Sequence, residues 1–140
     1  MFRLFVYGTL LSGESSHELL QSARALGAAK TAPAFDLVDL GPYPALVPGG
    51  TTSVVGELYE VTAAALSAID VYEEHPVFFK RTTIALESGS EAQAYLLEPA
   101  QVRGRRRIRS GDWRARFRPE RPPGPRDAAI VRWLRERHKM

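Results

Sequence analysis

Phe5-Val6-Tyr7-Gly8-Thr9-Leu10-Leu11-Ser12-Gly13 is the stretch on which the reading of this chain turns, because an apolar, β-prone run breaks off at Tyr-Gly-Thr-Leu. A strand that stops this way delivers consecutive backbone N–H groups to whatever lies beyond its end. Gly8 has no side chain to block a ligand and can take φ > 0, so the amides of Gly8, Thr9 and Leu10 are predicted to converge on an anion or a carbonyl oxygen. Read alone, the tetrapeptide is more often an ordinary turn. The segments downstream change that weighting.

Working outward, Ser15-Ser16 as N-caps, then Leu19, Leu20, Ala23 and Leu26 at helical spacing with Gly27 as a stop, predict a helix directly after the loop. Residues 34–40 read as a second strand, halted by Gly41-Pro42-Tyr43-Pro44, with a brief resumption at Ala45-Leu46-Val47. Residues 54–61 alternate apolar and polar after Gly56, as a half-buried strand should, and Gly56 suits a bulge or a close backbone approach. Thr62 caps a short helix over 63–70, and residues 78–86 and 93–97 form a strand pair around Ser88-Gly89-Ser90. The predicted order is β-α-β-β-β-α-β-β. Beyond Pro99 the sequence turns Arg-rich, then Pro-rich, and a last helix is predicted from Pro125, with Ala129, Ile130, Trp133 and Leu134 on one stripe.

The 140 residues, 44% hydrophobic and 25% charged, predict one folded domain that needs no disulfide or metal to bury a core. The absence of cysteine rules out disulfides, thiolate metal sites and a cysteine nucleophile, and fits a reducing compartment. With no signal-like or 18-residue apolar stretch, a cytoplasmic location and no membrane partner are expected. The net charge of +3 conceals an asymmetry: residues 1–100 hold 5 Lys and Arg against 12 Asp and Glu, whereas residues 101–140 hold 14 against 4. Such a basic segment can bind nucleic acid or fold back on the acidic body, and the second reading is preferred.

Asp70, Glu73 and Glu74 place three carboxylates at the C-terminal end of a predicted helix, where the helix dipole and mutual repulsion oppose ionisation. Their pKa values are expected to be raised. A carboxyl sunk among Tyr72, Phe78 and Phe79 is suited to exchanging protons near neutral pH. Rival chemistries lack their residues: His17, His75 and His138 show no metal-binding spacing, and there is no Gly-x-x-x-x-Gly-Lys or Gly-x-Gly-x-x-Gly. No metal and no cofactor are expected.

Four segments in order resemble the γ-glutamylcyclotransferase-like, or AIG2-like, family: residues 5–10, Gly41-Pro42-Tyr43-Pro44-Ala45-Leu46-Val47, residues 55–61, and Ile69-Asp70-Val71-Tyr72-Glu73-Glu74. Ser110-Gly111-Asp112-Trp113 is similar to the family's closing motif. The resemblance covers residues 1–113, and the Arg/Pro-rich segment 114–140 lies outside it. It implies an α+β fold, a small mixed β-barrel flanked by helices, with one cavity between the Tyr-Gly-Thr-Leu loop and a catalytic acid. By position that acid is Glu73. Glu74 stands where the family has Gly, and Phe79-Lys80-Arg81 keeps the Arg of the family's Tyr-x-Arg but loses the phenol.

The activity so implied is cyclisation of a γ-glutamyl amino acid or γ-glutamylamine to 5-oxoproline with release of the free amine. The substrate's own α-amine attacks its γ-carbonyl, so the protein must hold the glutamyl group bent and move a proton. Glu73 would act as base and then acid, with Glu74 next in line. The amides of the loop Tyr7, Gly8, Thr9 and Leu10 would hold either the α-carboxylate or the developing oxyanion. Tyr43 would shape a cavity wall, and Arg81 is a candidate carboxylate partner or an ion pair with a body acid. The competing expectation is a non-catalytic binding module whose basic segment takes an acidic partner or nucleic acid, its binding falling steeply with salt.

Overall fold

The computed structural model describes residues 1–117; the helix predicted from Pro125 and the Trp133 stripe lie outside the described residues. Strands β1 (Phe2–Val6), β2 (Arg24–Lys30), β3 (Phe35–Asp39), β4 (Pro44–Pro48) and β5 (Val55–Val61) precede helix α1 (Ala63–Tyr72), which is followed by β6 (Lys80–Ala85), β7 (Glu91–Leu96) and the two-residue β8 (Arg106–Arg107). The sheet order is β2-β5-β1-β7-β4-β3-β8, and β6 pairs antiparallel with β7 off that path, from Lys80 opposite Leu96 to Ala85 opposite Glu91. β1 runs antiparallel to β5, with Leu4 opposite Tyr59, and parallel to β7, with Leu4 opposite Gln93. This central place explains why Leu4, Phe5 and Val6 are all buried rather than alternating.

The α+β class holds, but "barrel" describes the sheet only loosely. Its ladders do not close. An isolated bridge between Thr31 and Leu86, with Ala32 N–H donating to the Ala85 carbonyl and Glu87 N–H to that of Lys30, draws the chain after β2 toward the end of β6.

The predicted helix after the first loop is corrected. Only His17–Leu20 turns, as a short 3-10 segment, and Arg24–Lys30 is a strand paired along β5 from Arg24 opposite Glu60 to Lys30 opposite Val55. Gly27, read as a helix stop, sits at φ 112 where the ladder shifts register after Ala25. The physical reason is the edge of β5 opposite β1, whose unpaired N–H and C=O groups outweigh a weak helical spacing in which Leu20 alone is buried within the turn. Gly56 answers the close-approach reading rather than the bulge, since a Cβ there would lie 2.1 Å from the Val6 carbonyl oxygen while its pairing with Ala29 stays in register.

Helix α1 follows its predicted signals. The Thr62 hydroxyl accepts from Ala65 N–H at 3.1 Å, and Leu66 and Ile69 turn inward. It runs two residues past Asp70, to Tyr72. Of the arginines after residue 100, Arg106 and Arg107 pair with Asp39 and Asp36 of β3, and Arg114 pairs with Glu57 of β5.

Candidate active site

The end of β1, the start of β4, strand β7 and the C-terminal end of α1 surround a cavity of about 230 Å³. Tyr7, Gly8, Thr9 and Leu10 line one side, Tyr43 and Pro44 another, and Tyr72, Glu73, Glu74, Phe78 and Phe79 a third, with Tyr95 between. Six of the seven predicted site residues are thus brought together, from segments more than sixty positions apart. Arg81 is not among the lining residues. Its guanidinium pairs with Asp70 instead, Nε to Oδ1 at 2.9 Å and a terminal N–H to Oδ2 at 3.2 Å.

Gly8 serves the loop through space rather than through φ. It does not adopt the left-handed conformation, but a Cβ would lie 2.6 Å from Pro44 Cδ and Cγ, so only glycine lets β4 start against the loop. Turn bonds engage the loop's carbonyls: Leu11 N–H donates to Gly8 and Ser16 N–H to Thr9, while the His17 ring donates from Nδ1 to Leu10. The amides of Gly8, Thr9 and Leu10 donate in none of the turn and loop bonds among the described residues. The Tyr7 phenol donates to the Tyr95 carbonyl; burial, with the charge of Glu73 adding to it, holds that phenol far above its ordinary range. It enters the site as a proton-bearing wall. The Tyr43 ring stands 6.1 Å from that of Phe79, and Phe79 packs edge-on to Phe78 at 5.1 Å.

Glu73 caps α1, its N–H still bonded to the Ile69 carbonyl. The chain leaves through a left-handed residue: Glu74 sits at φ 54, Glu74 N–H donates to Val71 and His75 N–H to Asp70. This is the pairing of a Schellman helix end, a position where glycine is the usual residue. The turn sets the Glu73 side chain against the cavity aromatics, and burial pushes its carboxyl up to about 7.

The expectation that Asp70 shares this rise is corrected. Burial would raise the Asp70 carboxyl, but the hydrogen bonds of Arg81 and of the Tyr95 hydroxyl (2.6 Å), with the charge of Arg81, outweigh it and hold it below the usual range. The Tyr95 phenol is correspondingly raised, by burial first and by Asp70 second. Sequence reasoning missed Tyr95, whose only signal was an aromatic residue in the middle of a short apolar strand. Among the described residues no Lys, Arg or His lines the cavity, and no group of three or more His, Asp and Glu is disposed to hold a metal ion. No helix among the described residues is long and apolar enough to cross a membrane.

Such a cavity can hold an anionic group on backbone N–H donors beside one carboxyl able to gain and lose a proton near neutral pH. The profile of the family described as "Gamma-glutamyl cyclotransferase, AIG2-like" matches residues 4–115. A Vibrio cholerae protein named "Putative gamma-glutamylcyclotransferase" is 44% identical over 110 residues, covering 79% of this chain and 93% of its own. Gamma-glutamylaminecyclotransferase A of Danio rerio is 34% identical over 106 residues, covering 66% of each chain. Among solved structures, the Escherichia coli protein c4763 superposes with a TM-score of 0.71 at 25% identity, over 81% of this chain and 92% of its own. The loop and the helix end that build the cavity both fall within the matched residues, and the chain belongs to the γ-glutamyl cyclotransferase, AIG2-like family of enzymes.

Proposed function

We propose that the protein cyclises a γ-glutamyl amino acid or γ-glutamylamine to 5-oxoproline and releases the free amine, with Glu73 as the group that moves the proton. The observation that carries this reading is a carboxyl raised to about 7 by burial, in one cavity with the loop whose Gly8, Thr9 and Leu10 amides donate in no turn or loop bond among the described residues. The α-nitrogen forms a bond to the γ-carbonyl carbon, and the amide C–N bond to the leaving amine breaks. In passing from ammonium to lactam N–H the α-nitrogen gives up two protons, and the leaving nitrogen takes up two in becoming an ammonium. No acid or base is consumed, so one carboxyl that alternates between its two states is sufficient. Holding the glutamyl chain bent supplies much of the remaining acceleration, because the attack is intramolecular.

The charge inventory narrows the roles. With no cation among the described lining residues, the substrate's α-carboxylate falls to the amides of Gly8, Thr9 and Leu10. A second carboxylate, on a leaving amino acid, would find no cation among the described lining residues to balance its charge. This favours γ-glutamylamines, the class named in the Danio rerio relative. The test is a mass-spectrometric screen for 5-oxoproline with γ-glutamylamines, γ-glutamyl amino acids and glutathione. Glu73→Gln is expected to lower turnover by at least about a hundredfold with the fold intact; full activity in that variant would remove Glu73 from the reaction.

A further inference from the structure

A second cluster of side chains converges on the substrate loop without touching the cavity. Glu57 of β5 accepts from the Ser12 amide at 2.8 Å, the Ser12 hydroxyl at 2.7 Å and the Tyr59 hydroxyl at 3.0 Å. Arg114 donates to the Ser12 carbonyl, to the Ser12 hydroxyl oxygen at 3.2 Å and to Glu57 Oε2 at 3.3 Å. Every polar group of Ser12 is therefore held. Arg114 is itself anchored, since it follows Trp113, 2% exposed, in a turn whose first amide bond is capped by Asp112. None of Ser12, Glu57, Tyr59 and Arg114 lines the cavity.

The consequence for the loop follows from peptide planarity. Each carbonyl is opposed across its peptide plane to the next residue's N–H. The bonds that pin the Gly8 and Thr9 carbonyls therefore also aim the Thr9 and Leu10 amides. Those bonds come from Leu11 and Ser16, on either side of Ser12. Ser12 is thus the point at which the loop is fastened to β5 and to the segment after Gly111.

We propose that Glu57 and Arg114 are positioning residues for the substrate loop, holding Ser12 so that the Thr9 and Leu10 amides stay aimed at the glutamyl group. The proposal rests on the cyclotransferase reading for its kinetic consequence, but its structural consequence can be measured without substrate. In the full chain, Glu57→Gln and Arg114→Ala should each speed hydrogen exchange at Leu11 and Ser16, whose amides donate to the Gly8 and Thr9 carbonyls, by at least about tenfold, with the amides of α1 and β7 unchanged. Both should raise KM roughly tenfold for a γ-glutamylamine while kcat stays within about twofold. Ser12→Thr, which keeps the hydroxyl, should restore what Ser12→Ala loses. Unchanged exchange and KM would overturn the proposal. So would faster exchange spread over α1 and β7 with a matching fall in Tm, which would make the cluster a general structural support. Absence of 5-oxoproline from every γ-glutamyl substrate would instead sink the cyclotransferase reading, and the exchange measurement would still decide the role of the clasp.

Discussion

Asp70 and Glu73 stand three residues apart at the end of the same helix, yet the fold gives them opposite electrostatics. Asp70 faces β6 and β7, where Arg81 and Tyr95 supply a fork of N–H donors and a hydroxyl, and it stays ionised. Glu73 faces the cavity, where aromatic rings displace water and no described lining residue offers a cation, and its proton is retained up to about pH 7. The lesson is that proximity of carboxylates on a helix does not set their pKa. What each one meets on the neighbouring element does.

The largest effect on this contrast should come from Asp70→Asn. It leaves the Arg81 guanidinium, 25% exposed, without its counter-charge, and should cost about 2 kcal/mol in a urea titration at pH 7, the partial exposure keeping it below the cost at a fully buried pair. A loss under a few tenths would mean that the ion pair is solvated and does not hold the helix end. The difference should shrink in acid, because a lowered carboxyl contributes stability above its unfolded pKa and loses it as pH falls through the folded value.

For Glu73 the sign reverses. Its folded pKa lies above its unfolded one, so stability is greatest while both states are protonated and falls as pH rises through about 7. Glu73→Gln should therefore be more stable than the parent at pH 8, by on the order of 1 kcal/mol, with the advantage gone below pH 4.5. Equal urea midpoints across that range would show that the carboxyl is hydrated. The smallest effect concerns the residue that aims Glu73. Glu74→Gly should relieve the left-handed conformation at φ 54 and raise stability by up to about 1 kcal/mol. A decrease would reveal a favourable contact of the Glu74 side chain that outweighs the strain.

Much of the site could be read from the chain because its parts are local. Tyr-Gly-Thr-Leu ends a strand wherever that strand pairs, and Thr62 starts a helix that must run out near Glu73. Tyr43 beside Pro44 was legible as a wall for the same reason. The helix predicted over residues 15–26 failed because pairing along β5 is a long-range interaction with no trace in the local spacing. Arg81 illustrates the other kind of limit. Its charge suited a carboxylate equally well whether the partner was a substrate or Asp70, and eleven residues of separation do not distinguish them. Tyr95 and Glu57 escaped notice because a buried hydroxyl and a half-buried acid acquire meaning only from the strand and loop set against them.

The order and spacing of the short segments were enough to place this chain in its family, single out Glu73 as a candidate and exclude thiol chemistry, since motif identity and helix phase are properties of neighbours along the backbone. The raised carboxyl of Glu73, the lowered one of Asp70, the glycine contact at Pro44 and the fastening of Ser12 came from elements distant in sequence. Desolvation and hydrogen bonding depend on what surrounds a group in space, and that exists only once β1, β4, β5, β7 and α1 have packed.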